Sequence, residues 1–114
     1  MPGTPFELYI YDTIRKNYPE YEGWIIWEQP TLSDSSRPDF IVSRKGRVEA
    51  VIDAKDKVKL SMQDIYQIAH YGQLCEARRA IIYIANDTEI PRNVEAYAAR
   101  LGVRIIRTQW RAPF

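Results

Sequence analysis

The stretch Arg37–Lys55, RPDFIVSRKGRVEAVIDAK, decides how the rest of the chain is read. It divides into two short apolar runs around Lys45-Gly46, a pair suited to a tight turn that needs positive φ. The stretch therefore reads as a β-hairpin. Asp39 opens its first strand. Asp53 and Lys55 close the second, after Val48, Ala50, Val51 and Ile52. Directly opposed residues of an antiparallel pair share a face. A three-residue loop of Lys45, Gly46 and Arg47 pairs Arg44 with Val48 and sets Asp39 opposite Asp53. A two-residue loop shifts the register by one and sends the acids to opposite faces. The first register is the expectation. Lys55, two residues beyond Asp53, shares its face. Two carboxylates and an ammonium then converge at one end of the hairpin. The like charges are costly there unless a cation lies between them.

Outward from the hairpin, helical and extended patterns alternate. Thr4-Pro5-Phe6-Glu7 supplies an N-cap, a proline at the first helical position and an acid at the third. Ile10, Tyr11, Ile14 and Tyr18 continue at helical spacing as far as Pro19. Glu7 lies on that face, so it is both a cap and a candidate third carboxylate. Trp24–Glu28 reads as a strand, and residues 30–36 (PTLSDSS) as a polar loop. Downstream, Ser61 caps a second helix, with Asp64 three residues on and Ile65, Ile68, Ala69 and Leu74 on its apolar face. Gln67 and Tyr71, four apart, lie one above the other. Arg79–Ala85 is a nearly continuous apolar run, typical of a buried strand. Pro91–Leu101 predicts a third helix with Val94, Tyr97, Ala98 and Leu101 inward and Gly102 as its stop. Val103–Thr108 is a last strand. Helices laid on a mixed sheet make an α/β layered fold.

Pro38-Asp39 followed by Asp53-Ala54-Lys55 on the next strand resembles the signature of the PD-(D/E)XK nuclease superfamily. The element order is similar to that superfamily's αβββαβ core, and the last helix and strand form a C-terminal αβ extension. Gln67-Ile68-Ala69-His70-Tyr71 resembles the Gln-x-x-x-Tyr motif of the RecB-like branch. Residues 53–73 (DAKDKVKLSMQDIYQIAHYGQ) look like the nuclease part of McrC-type proteins.

The resemblance implies a restriction-endonuclease-like fold and a magnesium- or manganese-dependent endonuclease or exonuclease acting on DNA. Hard oxygen donors select such ions. It implies Asp39 and Asp53 as principal metal ligands, with the Ala54 carbonyl and Glu7 as further ones. Lys55 would orient or activate the attacking water, and Gln67 and Tyr71 would position a phosphate. The implied partners are DNA, a second copy in a homodimer, and a separate NTPase or helicase, because the chain has no Gly-rich phosphate loop of its own. The alternatives are a Holliday-junction resolvase-like dimer, whose helix start resembles Gly3–Glu7, and a non-catalytic nucleic-acid- or partner-binding module on the same fold.

Composition agrees with one ordered domain over residues 1–114. Hydrophobic residues make up 46% and charged residues 27%. A net charge of +1 excludes a purely electrostatic DNA coat and leaves room for a local basic groove. Cys75 and His70, each single, build neither a disulfide nor a zinc site. No run reaches membrane-spanning length and no signal-peptide layout is present, so the expectation is an intracellular, cytoplasmic protein. Lys57 and Lys59, just after the Asp-x-Lys strand, and Arg44 and Arg47, at the hairpin turn, are candidate DNA contacts. Trp24, Trp27 and Trp110 are candidates for stacking on unpaired bases. Core packing is the stronger expectation for Trp24 and Trp27, and Trp110 stays open. Singly, Asp39 reads as a turn residue after proline and Asp53 with Lys55 as a surface ion pair. Their joint placement favours the nuclease reading.

Overall fold

A computed structural model describes residues 3–111. Strands β1 (Ile25–Glu28), β2 (Phe40–Arg44) and β3 (Arg47–Lys55) form an antiparallel meander. β4 (Arg79–Ile84) and β5 (Val103–Arg107) extend it in parallel, giving one mixed sheet in the order β1-β2-β3-β4-β5. Each parallel step needs a crossover. Helices α2 (Met62–Leu74) and α3 (Arg92–Leu101) supply them, and α1 (Pro5–Asn17) precedes the meander.

Alternation along β3 sorts the core into two layers. Val51 packs with Ile65 and Ile68 of α2 and with Val94 and Ala98 of α3. Ala50 and Ile52 pack on the other side with Phe6, Ile10 and Ile14 of α1. With helices on both faces, β3 and β4 bury both sides, which is why they read as continuous apolar runs. The same alternation carries Asp53 and Lys55 onto the α2–α3 face. On β2, Ile41 belongs to that layer, and so Asp39, two residues earlier, lies on the same face.

The hairpin loop differs from expectation. Arg44 pairs with Arg47, so the loop is the two residues Lys45 and Gly46, both at positive φ (53° and 76°). This primed turn matches the twist of the flanking strands. Continued without interruption, that register would set Asp39 opposite Ile52. A β-bulge intervenes. Ser43 pairs with Val48 but Val42 pairs with Ala50, leaving Glu49 as the extra residue. The bulge restores the one-residue offset, Phe40 pairs with Ile52, and the next step sets Asp39 against Asp53. The acids share a face because two irregularities cancel.

Two residues expected in the core are exposed. Trp27 is 51% exposed because β1 is the edge strand, whereas α2 and α3 lie over β3, β4 and β5. Leu101 is exposed at the last helical residue before the left-handed Gly102. Trp24 packs edge-on against Tyr18 at 5.0 Å between centroids, and Trp110 packs on Phe6 at 5.0 Å. Among the described residues, no helix is long and apolar enough to cross a membrane.

Lys45 holds a left-handed conformation that favours Asn over residues with ordinary side chains. Thermal unfolding is expected to show Lys45→Asn at least as stable as the parent. Lys45→Val is expected to lose about 1–2 kcal/mol.

Candidate active site

The end of the β2–β3 pair is tied by crossed bonds between side chain and backbone. The Asp39 N–H donates to Asp53 Oδ1 at 3.0 Å, and the Ala54 N–H donates to Asp39 Oδ2 at 2.8 Å. Asp39 Oδ1 and Asp53 Oδ2 stay outside these backbone bonds. Asp53 is buried, at 3% exposure, and Asp39 is half-buried. Burial, then the neighbouring Asp53 charge, pushes the Asp39 carboxyl up to about 6, against a donated bond from Ala54. Burial likewise raises Asp53, with Lys55 opposing it. Lys55 Nζ lies 3.8 Å from Asp53 Oδ2.

Helix α2 roofs this face. Tyr71 is buried, and its hydroxyl pKa is raised by burial and then by the charges of Asp53, Asp34 and Asp39. Gln67, half-buried, stands one turn before Tyr71 on the same helix face. Asp64 closes the capping box with Ser61. Its carboxylate also accepts from Lys57 Nζ at 2.8 Å. Burial raises Asp64, but the bonds from Lys57 and Ser61 outweigh it and hold the group below its ordinary value. The Asp64 charge also acts on Asp53, raising it further.

Glu7 reaches the site from the opposite layer. Thr4 Oγ1 accepts from the Glu7 N–H at 3.1 Å, the Glu7 carboxylate accepts from Gly3, and the Glu7 charge raises Asp39. Among the described residues, no three His, Cys, Asp or Glu side chains gather closely enough to hold a metal ion. Glu7 therefore stands near the pair without closing a cage around it. Magnesium suits such an incomplete set. It keeps several waters and takes one or two carboxylates plus substrate phosphate. Asp39, Asp53 and the Ala54 carbonyl fit that demand by donor type, and the raised carboxyls show unfavourable charge that a cation would relieve.

The other candidate DNA contacts are dispersed. Lys59 is exposed in the segment leading to α2, where its backbone bridges to Glu89. Arg47 lies at the far end of β3 from Asp53, about 20 Å away at strand rise. Arg44, beside it, stacks over Trp24 at 4.0 Å. Sequence reasoning missed the His70–Asp34 contact, 3.2 Å between Nε2 and Oδ2, which ties the β1–β2 loop to α2. Thirty-six residues separate the two, and no local pattern links them. The Lys57–Asp64 pair was closer to hand, as an acid in a first helical turn with a lysine just upstream.

No protein-family model matches the chain, and no curated protein is similar to it in sequence. Solved structures share its architecture. SfsA from Pyrococcus furiosus in complex with Ca²⁺ superposes with a TM-score of 0.58 at 15% identity, covering 89% of this chain and 55% of that one. A repair endonuclease from Pyrococcus abyssi gives 0.64 at 14%, covering 95% and 49%. EndoMS in complex with double-stranded DNA gives 0.64 at 12%, covering 98% and 48%. This chain thus spans about half the length of those chains. At these identities the likeness is one of fold, and the fold is restriction-endonuclease-like α/β.

A carboxyl whose folded pKa is raised contributes stability below its unfolded value, and loses it as pH climbs through the folded value. For Asp39 that window runs from 3.8 to about 6. Asp39→Asn is expected to melt above the parent near neutral pH and level with it near pH 4, by calorimetry without divalent cation.

Proposed function

We propose that this chain is a divalent-cation-dependent nuclease that hydrolyses DNA phosphodiester bonds. The observation that carries the reading is the Asp39–Asp53 pair, with Lys55 on the same face and Tyr71 within reach of the acids' charges. A structural ion pair at the surface would not hold a buried and a half-buried acid against each other with raised pKa values.

In this reading Asp39, Asp53 and the Ala54 carbonyl hold magnesium or manganese. When bound, the cation neutralises the scissile phosphate and lowers the pKa of the attacking water. Lys55, already within 3.8 Å of Asp53, orients that water and donates to a phosphate oxygen. Tyr71 and Gln67 donate from α2 to a non-bridging oxygen and fix the phosphate in line. Lys57, oriented by Asp64, contacts the adjacent backbone phosphate. Glu7 adds negative charge at the rim and strengthens cation binding. The double-stranded DNA held by EndoMS supports DNA as the substrate polymer.

The test is cleavage of linear duplex, single-stranded, circular, flap and four-way-junction DNA with and without manganese. Cutting is expected only with the metal. Asp53→Asn and Lys55→Ala are each expected to lower the rate by about 100-fold or more while leaving the fold intact. Equal cutting by both variants, or no cutting of any substrate by folded parent protein, would refute the reading.

A further inference from the structure

Among the tryptophans, Trp27 is the one that the core does not absorb. It pairs with Ile41 across the β1–β2 ladder and lies on the α2–α3 face. That is also the face of Asp39, which lies two residues from Ile41 along β2, on the opposite side of Ile41 from Ser43. The indole Nε1 donates to Ser43 Oγ at 2.9 Å. This bond spends the ring's one polar atom within the protein and pins the ring across β2. What remains open, at 51% exposure, is π surface. Trp24 and Trp110, by contrast, pack on Tyr18 and Phe6.

A cation is fixed at the end of the same strand, β1. The Arg37 guanidinium donates through Nε and Nη2 to the Gln29 carbonyl, each at 3.4 Å. The Gln29 N–H in turn donates to the Asp39 carbonyl at 2.8 Å. Arg37 is thus tethered at the end of β1, beside the residue that pairs with Asp39. An open aromatic face and the paired carboxylates thus lie on one sheet face, and a tethered guanidinium lies at the end of the neighbouring strand. That arrangement suits a nucleic-acid strand, with a base on the ring, a backbone phosphate at the guanidinium and the next phosphate at the acids.

We propose that Trp27 is a stacking platform for an unpaired base, so that the substrate at this site is single-stranded or locally unpaired DNA. A duplex covers its base faces with neighbouring pairs and offers the indole nothing to stack on. The placement of the strand relative to the acids rests on the nuclease reading; the contact with the base does not.

The experiment is equilibrium binding of labelled oligothymidine and of a loop-free linear duplex of several tens of base pairs, followed by fluorescence anisotropy. It uses the uncleaving Asp53→Asn protein, with Trp27→Leu and Trp27→Phe added separately. Leucine keeps apolar cover over Ile41 and removes the ring, and phenylalanine keeps a ring. Trp27→Leu is expected to weaken oligothymidine binding roughly 10- to 100-fold, Trp27→Phe to recover most of it, and duplex binding to change far less. Should Trp27→Leu fail to fold, Trp27→Phe against Trp27→Thr reads the same difference. Absent binding of oligothymidine, unchanged binding in the ring-less variant, or equal loss for both DNAs would overturn the platform. A shift of oligomeric state in light scattering would also overturn it, assigning Trp27 to self-association. Failure of cleavage with ring-dependent binding intact would defeat the nuclease reading alone. Metal-dependent cleavage with ring-independent binding would defeat the platform alone.

Discussion

Two backbone amides hold two acids in place here. The N–H of Asp39 caps the Asp53 carboxylate, and the N–H of Ala54 caps that of Asp39. These bonds close the end of the β2–β3 ladder and fix both side chains on one face. They also hold like charges together in a partly buried setting, which is why both carboxyls titrate above their ordinary value. The arrangement is stable only because the packed layers behind it are: Ile52 and Phe40 against α1, Val51 and Ile41 against α2 and α3. Core packing carries the energetic cost of holding these like charges together.

The roof over the acids follows from the same crossover that makes the sheet parallel. The chain leaves β3 at Lys55, is tied at Lys57 and Leu60 to the loop after β4, and turns into α2 at a full capping box. That box uses Asp64, which also anchors Lys57. A cap residue thus positions a basic side chain, and Tyr71, two turns on, comes down beside the acids. Local helix-start chemistry and the geometry of the site are one construction.

Much of this was legible in the sequence because it rests on local periodicity. The helix caps, the alternation that puts Asp53 and Lys55 on one face, and the element order all follow from spacing. The register of the acids was reached for an incomplete reason. Lys45-Gly46 makes the tight two-residue turn, and the bulge at Glu49, which no residue type advertises, returns the strand to phase. The exposure of Trp27 was not legible either, since it depends on β1 lying at the sheet edge beyond the reach of α2 and α3. Pairings such as His70 with Asp34, and the guanidinium of Arg107 on the carbonyls of Ala85, Asn86 and Thr88, come from tertiary placement alone. The likeness to solved nucleases is likewise one of architecture, and chemistry has to be read from this chain's own side chains.

The most direct measurement is a manganese titration followed by electron paramagnetic resonance, with the parent protein beside Asp39→Asn and Asp53→Asn. Saturable binding near one ion per chain in the parent, lost in both variants with their folds intact, is the expected result. Absence of saturable binding, or binding that survives both substitutions, would mean that the paired acids at the end of β2 and β3 hold no cation.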